Sequence, residues 1–95
     1  MAKFRVYKYR KLERLVRGFA NHRRLQIMDL LKRKSELSVF EIADELNINF
    51  KNTAQHLQKL AAAGLVLKRS FGSAVHHKLT SRALAVLNFL KKLDV

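Results

Sequence analysis

Residues 38–64, SVFEIADELNINFKNTAQHLQKLAAAG, carry the signals for two helices separated by a tight turn. Ser38 is a favoured N-cap residue, and Glu41 three positions later completes a capping box for a short first helix. Asn49 is placed to cap a second, longer helix, and Gly64 is the residue type expected just past its end. Two helices joined by so short a turn cross at a steep angle, so the segment predicts a helix-turn-helix.

The second predicted helix has an inward and an outward face. Its apolar positions recur at three- and four-residue spacing, which indicates the buried side; they are Thr53, Leu57, Leu60 and Ala61. In a helix-turn-helix, the N-terminal half of the second helix approaches base edges in a DNA major groove. We therefore predict a base-reading arc made of Phe50, Lys51, Ala54 and Gln55. The Gln55 amide suits adenine, and Lys51 suits guanine or a phosphate.

The stretch ELSVFEIADELNINFKNTAQHLQKLAAAGLV resembles the ArsR/SmtB-like winged-helix regulators, whose pattern is roughly ELxVxELAxxLxxSxxTVSxHLxxLxxAGLV. The resemblance extends upstream through NHRRLQIMDLL, against a family pattern like DPTRLRILxLL, and downstream to Leu79. It implies a winged helix-turn-helix fold and a DNA-binding regulator that pairs through its first and last helices. Phe50 stands where the family usually has a polar residue, so it either packs on a sugar or methyl group or covers its own scaffold. Gln55 replaces a common histidine, so the resemblance also implies a different base preference.

The charge and composition of the chain limit its function. Lysine and arginine number 20 against 7 acidic residues, a formal net charge of +13, which favours nucleic acid as partner. The 48% hydrophobic content argues against disorder. No apolar run approaches a transmembrane length and the N-terminus lacks a signal-peptide core, so we expect a cytoplasmic, nucleoid-associated protein without a membrane partner. The absence of cysteine excludes disulfides, thiolate metal sites and cysteine nucleophiles.

The first nineteen residues are basic with interspersed aromatics. Positions 3–9 alternate as a strand would, whereas positions 9, 12, 16 and 19 follow helical spacing. We predict a loosely ordered start followed by a helix from about Val6 to Phe19. Tyr7 and Tyr9 are expected to pack against a neighbouring helix rather than to stack on bases.

A second helix is predicted from Asn21, as its cap, to about Lys34. Its apolar residues form a broad stripe, which indicates deep packing; they are Leu25, Ile27, Met28, Leu30 and Leu31. Arg24 near the start of this helix has two interpretations. It forms a structural ion pair, with an acid such as Asp29 or Glu45, or it contacts a phosphate.

The residues after the helix-turn-helix predict a basic hairpin, the wing. Residues 65–70 (LVLKRS) and 75–79 (VHHKL) read as two strands joined by residues 71–74, where Gly72 supplies turn flexibility. Such a hairpin can lie along the phosphate backbone or dip toward the minor groove. The predicted phosphate contacts are Asn49, Asn52, Lys59, Lys68, Arg69 and Lys78.

The histidines do not predict a metal site. His76 and His77 alternate in direction on a strand, and zinc needs three or four convergent ligands. His56 aligns with a common histidine of the family and is interpreted as packed and hydrogen-bonded. Metal-sensing relatives carry cysteines in an ELCVCD segment, where this chain has ELSVFE with Ser38 and Phe40 at those positions, and the last helix has no histidine. We expect no metal and no cofactor.

The last helix is predicted from its cap, Thr80, to about Leu93. Its apolar residues cover more than one stripe, so both sides need burial, one in the core and one against a second subunit. We therefore predict a homodimer, as the resemblance also implies. The predicted interface residues are Leu12, Val16, Phe19, Leu84, Leu87 and Leu90.

The sequence as a whole predicts a mainly α protein with a small β-hairpin, a winged helix-turn-helix of order ααααββα in one domain over residues 1–95. Residues 1–20 and 80–95 are assigned to dimerisation, 38–64 to the helix-turn-helix and 65–79 to the wing. An enzyme is not expected, because no glycine-rich phosphate loop or catalytic constellation is present. The predicted function is a homodimeric, DNA-binding transcription repressor. The alternatives are an architectural DNA-binding protein with little sequence preference and an RNA-associated winged-helix module.

Overall fold

The computed structural model describes residues 6–94, which form five α-helices and a two-stranded antiparallel hairpin. The elements are α1 (Val6–Phe19), α2 (His22–Arg33), α3 (Val39–Leu46), α4 (Phe50–Ala62), β1 (Val66–Phe71), β2 (Ala74–Leu79) and α5 (Ser81–Leu93). This order confirms the predicted winged helix-turn-helix. Residues 6–9 are helical, so the strand alternative is wrong for them. The loosely ordered start predicted for the first five residues lies outside the described residues.

The core is built on α2. Its residues Ile27, Met28, Leu30 and Leu31 are each at most 1% exposed, as the broad apolar stripe predicted. Residues from α3, α4, the hairpin and α5 close the core around them; they are Ile42, Leu57, Leu60, Leu65, Val66, Leu79 and Ala83. Across residues 6–94, none of the helices combines the length and the apolar character that crossing a bilayer requires.

The first helix of the helix-turn-helix begins with the predicted capping box. The Glu41 backbone N–H donates to Ser38 Oγ over 3.1 Å, and the Ser38 N–H donates to Glu41 Oε1 over 2.9 Å. These two hydrogen bonds lower the pKa of Glu41 below its usual value. Asn47 ends the helix in the left-handed conformation, with φ 53°. Both ends of α3 are therefore fixed by local side-chain chemistry.

The second helix begins and ends as its sequence predicts. The Asn49 side-chain oxygen accepts from the Asn52 backbone N–H over 3.1 Å. At the other end, the Gly64 N–H donates to the Ala61 carbonyl and the Leu65 N–H donates to the Leu60 carbonyl, over 3.0 and 2.9 Å. These two bonds define a Schellman motif. Leu65 is fully buried in this motif. The prediction that Leu65 is the first strand residue is wrong, since β1 begins at Val66.

The hairpin is longer at its tip than predicted. Phe71 and Ala74 pair as the last residues of the two strands, which leaves a two-residue turn, Gly72 and Ser73. Gly72 has φ +61° while Ser73 has negative φ, the pattern of a type II′ turn. The predicted four-residue connection is therefore wrong, because strand pairing continues through Phe71 and Ala74 and leaves only two residues in the turn.

A third backbone segment attaches the hairpin to the helix-turn-helix. The His77 N–H donates to the Leu37 carbonyl over 2.9 Å, in an isolated antiparallel bridge. The base of the hairpin is also fixed by Thr80, whose hydroxyl donates to the Gly64 carbonyl over 2.7 Å and accepts from the Ala83 N–H at the start of α5. The base of the wing is thus held by the residues that precede α3 and follow α4.

Candidate nucleic-acid interface

The predicted base-reading arc lies on the exposed side of α4. Phe50 is 56% exposed, and Lys51 and Gln55 are exposed as well, while Ala54 is half-buried. The opposite side of the helix is fixed in the core through Thr53, Leu57 and Leu60; Ala61, also predicted inward, is half-buried. The helix therefore presents a polar arc from a rigid support.

The first turn of α4 combines capping with exposed polar groups. The Asn49 side-chain oxygen is used as the helix cap, so only its amide nitrogen remains for an external acceptor. The Asn49 backbone carbonyl accepts from the Thr53 hydroxyl over 2.9 Å. Asn52 and Lys59 are exposed, Lys59 two turns further along the helix. The predicted phosphate contacts of α4 thus lie at both ends of its outward arc.

Arg24 makes neither of the predicted ion pairs. Asp29 pairs with Arg33 over 3.3 Å, and Glu45 pairs with Lys34. The Arg24 guanidinium instead donates from Nη1 to the carbonyls of residues 17 and 18 at the end of α1, over 2.8 and 3.2 Å. The ion-pair interpretation is wrong because backbone carbonyls, which no sequence pattern reveals, are the acceptors.

The same guanidinium also holds α4. Arg24 Nε donates to His56 Nδ1 over 3.2 Å, which joins α2 to α4. Burial lowers the pKa of His56, and the positive charges of Arg24, Lys59, His22 and Arg23 lower it further. The ring is therefore neutral near pH 7 and accepts through Nδ1, so the prediction that His56 is packed and hydrogen-bonded is confirmed.

The basic residues of the wing lie on opposite faces of the hairpin. The strand register pairs Lys68 with His77 and Arg69 with His76, so the two adjacent cations alternate in direction. Lys78 shares the face of Arg69. Arg69 forms an ion pair with Glu36 over 3.0 Å, which reduces its available charge. The predicted phosphate residues of the wing are therefore brought to one hairpin but not to one face.

His77 has a structural role that the sequence analysis missed. Its ring is 1% exposed, and Nδ1 lies 3.0 Å from the Leu37 carbonyl oxygen. Burial lowers the pKa of His77, although the hydrogen bond to Leu37 partly opposes this effect. The alternation of His76 and His77 signalled that one of them faces inward, but the acceptor lies forty residues away in the chain.

The predicted dimer residues fall into two groups. Leu12, Val16 and Leu84 are 41–49% exposed, whereas Phe19 and Leu87 pack partly against the chain's own core. Leu90 is half-buried. Further exposed apolar residues on α1 and α5 are Val6, Tyr7, Tyr9, Phe89 and Leu93. The predicted packing of Tyr7 and Tyr9 on a neighbouring helix is at most partial within this chain, since both are more than half exposed.

Within residues 6–94, no group of three or more histidine, aspartate and glutamate side chains is arranged to hold a metal ion. Ser38, at the first of the positions that would be cysteine in metal-sensing relatives, serves as a helix cap. Phe40, at the second, is 70% exposed. What the site brings together is the exposed arc of α4, a basic hairpin beside it, and a cationic cluster around Arg24.

Comparison with known proteins gives consistent matches. The family model described as "Bacterial regulatory protein, arsR family" matches residues 21–68. The HTH-type transcriptional regulator Rv0324 of Mycobacterium tuberculosis is 34% identical over 77 residues, 81% of this chain and 34% of the relative. The chain thus spans about a third of the length of that relative.

Two solved structures resemble the whole described fold. One is the homodimeric winged helix-turn-helix DNA-binding domain of Mb0332 from Mycobacterium bovis, a possible ArsR-family transcriptional regulator. It has a TM-score of 0.81 and 27% identity, and the match covers 100% of this chain and 94% of that one. The other is HlyU from Vibrio cholerae, with a TM-score of 0.79, 32% identity, and coverage of 95% and 98%.

Proposed function

The chain belongs to the ArsR family of bacterial regulatory proteins, and from this premise we propose that it is a homodimeric, sequence-specific DNA-binding repressor of transcription. Its partner is double-stranded DNA, bound in the cytoplasm at the nucleoid. The single observation that carries the proposal is the exposed polar arc of α4, with Lys51 and Gln55 facing solvent from a helix whose other side is fixed in the core.

The base-reading arc supports sequence-specific recognition of DNA. Gln55 presents an amide that can pair with the N6 and N7 edge of adenine, and Lys51 presents a donor for guanine O6 or N7. Ala54 is small enough for close approach of the groove wall and can touch a thymine methyl group. Phe50 offers an apolar surface to a sugar or a methyl group. Asn52, Lys59, Lys68 and Lys78 contact phosphates, which position the helix without reading sequence.

The apolar surface of α1 and α5 supports the homodimer. Leu12, Val16 and Leu84 are large apolar residues left exposed within the described chain, and a patch of this kind marks an interaction surface. The similar mycobacterial domain is homodimeric by its description. In this proposal residues 1–20 and 80–95 form the interface, and the two copies present their helix-turn-helix segments, residues 38–64, and wings, residues 65–79, to successive turns of the duplex.

A charge substitution tests the dimer. Leu84→Glu should give monomers by light scattering, because it buries an unpaired carboxylate in the interface. Leu67→Glu is the matched control, since Leu67 is an exposed leucine of the wing outside the proposed interface. If both variants remain dimeric and folded, the interface on α5 is wrong.

The net charge of +13 favours one competing function, an architectural protein that binds DNA with little base preference. Selection of bound sequences from a random duplex pool, at near-physiological salt, separates the two. An inverted repeat with half-sites about one helical turn apart supports the dimeric regulator. A featureless pool with tight binding supports the architectural function. Absence of duplex binding, with retention of a structured RNA, supports the RNA-associated module instead.

A further inference from the structure

A cleft of about 290 Å³ lies where α1 crosses the C-terminal half of α4. Four cationic side chains line it, Arg14, Arg17, Arg24 and Lys59, and no acidic residue of the described chain does. An adjoining cavity shares Arg14 and adds Lys11 and Arg82, again without an acid. The crossing is close because Gly18 has no side chain to meet Ala63. The electrostatic potential in the cleft is therefore strongly positive.

Arg24 adds a buried charge that has no counter-ion among residues 6–94. Its residue is only 9% exposed, and it forms no ion pair with any residue between 6 and 94. The carbonyls of Arg17 and Gly18 and the His56 ring satisfy Nη1 and Nε by hydrogen bonding but do not neutralise the charge. A buried cation without an anion is costly. An anion in the cleft would supply the missing charge.

The other lining cations differ in how available they are. Arg17 already pairs with Glu13 over 3.0 Å on the outer side of α1. Arg14 and Lys59 form no ion pair within the described part of the chain, and both are exposed. The cleft thus has two exposed cations without an ion pair in the described chain, one from each helix, in front of one fixed guanidinium.

The position of the cleft points to DNA as the source of the anion. Lys59 follows Gln55 by four residues, so the two side chains share one face of α4 about 6 Å apart along its axis. When the N-terminal half of a recognition helix enters the major groove, the phosphate backbone bordering the groove passes beside the rest of the helix. The cleft therefore extends the base-reading arc toward the phosphate backbone of the DNA.

We propose that this cleft binds a phosphate of the DNA duplex, with Arg14 and Lys59 contacting it and Arg24 held behind them as a fixed charge. The inference rests on the proposed DNA-binding function and extends the DNA-contacting surface to α1, beyond the base-reading arc and the wing. Arg24 serves here as a positioning residue as well, because the same guanidinium holds His56 of the recognition helix.

The test is the salt dependence of DNA binding by Lys59→Gln and by the double variant Arg14→Gln/Lys59→Gln, measured on one duplex at several salt concentrations. Because Lys59 is already a proposed phosphate contact, the cleft is tested by the further loss that removal of Arg14 causes, and a double variant that behaves as Lys59→Gln does overturns the proposal. We expect binding about tenfold weaker at fixed salt and a slope of log affinity against log salt smaller by about 1, the value for one lost phosphate contact. Both side chains are on the surface, so the unfolding midpoint should match wild type.

The matched control is Lys32→Gln, which removes one positive charge near the other end of α2, roughly 15 Å from its first residue. Its slope should equal that of wild type. A double variant that keeps the wild-type slope overturns the proposal, whereas failure of the wild-type chain to bind any duplex overturns the proposed function itself.

A second arm identifies the source of the anion. Inorganic phosphate is titrated into the chain without DNA, and the amide resonances of residues 14, 18 and 59 are followed. Shifts only at tens of millimolar, together with the reduced slope, support a backbone phosphate. The contrary result is saturable phosphate binding below about 1 mM, the concentration range of many small metabolites. If the double variant loses that binding while its DNA slope is unchanged, the cleft binds a small anion and the DNA proposal is overturned.

Discussion

The helix-turn-helix and the wing form one candidate DNA surface but are held in place by different means. The helix-turn-helix, residues 38–64, has a capped start and a fixed end on each helix, and its inward side lies in the core. In the two strands of the wing, residues 66–79, only Val66, His77 and Leu79 are buried, all near its base. Local signals and burial therefore fix the first region, whereas register and a few distant contacts fix the second.

The largest difference between the two regions should appear in folding stability. Leu60→Ala should reduce the free energy of unfolding by about 2–5 kcal/mol, because Leu60 is fully buried on the packing face of α4. Leu67→Ala in the wing should change it by less than about 0.5 kcal/mol, since that leucine is 56% exposed. Urea unfolding of both variants measures the difference, and equal losses would show that the wing is as much a part of the core as α4.

The second difference concerns recognition. Gln55→Ala should lower the discrimination between the preferred and a wrong base pair by about 1–3 kcal/mol, because it removes a direct base contact. Lys68→Ala should instead weaken binding equally on every duplex and reduce the salt slope by about 1. Competition binding on matched and substituted duplexes measures both. A Gln55→Ala variant that loses the same affinity on all sequences would remove Gln55 from the base-reading arc.

The same contrast explains what the sequence could predict. The caps at Ser38, Asn49 and Gly64 act within a few residues, so their sequence pattern determines their geometry, and the helices they bound were predicted closely. The strand ends were wrong because pairing between Phe71 and Ala74 depends on register. Gly-Ser is a dipeptide typical of two-residue turns, and it was the signal available for the shorter connection.

The candidate site was less predictable than the fold because its supports are distant in sequence. Arg24 reaches the carbonyls that end α1, and His77 reaches Leu37, neither of which has a residue-type signature. The sequence also placed Lys68 and Arg69 together as phosphate contacts, although alternation along a strand separates adjacent side chains. The Arg69 ion pair with Glu36 could be predicted only from the position of the wing relative to the connection between α2 and α3.

A smaller effect on stability is expected from alanine substitution of two glycines, the one that follows α4 and the one in the wing turn. Gly64 has φ +73°, and an added Cβ would lie 2.9 Å from Arg82 Nη1, which donates to the Ala63 carbonyl. Gly72 has φ +61° but nothing within 4 Å. Gly64→Ala should lower the free energy of unfolding by about 1–2 kcal/mol because of the positive φ, toward the upper end because of the close approach to Arg82, and an unchanged thermal midpoint would contradict this. At Gly72, the first position of the type II′ turn, the cost of alanine comes from the backbone conformation alone, because no atom lies near the added Cβ.

We expect the smallest effect from pH, through the two histidines His56 and His77. The pKa values of His56 and His77 are both lowered by burial in the folded chain. The unfolded chain therefore binds more protons as pH falls through the ordinary histidine value of about 6.5, and stability decreases with falling pH. The loss begins near that value and is complete below the folded pKa values. The free energy of unfolding is measured between pH 7.5 and 5.5, a range in which Glu41 does not titrate because its pKa lies below 4.5.

The two histidines should differ in how they contribute to that loss. Protonation of His56 removes the acceptor of the Arg24 hydrogen bond and places a second positive charge beside the guanidinium. Protonated His77 can still donate to the Leu37 carbonyl, which opposes the cost of its desolvation and of the nearby Lys68 and His76 charges. His56→Gln should therefore flatten the pH dependence of stability more than His77→Gln does. The opposite order would mean that the base of the wing, and not the α2–α4 junction, is the acid-sensitive part of the DNA surface.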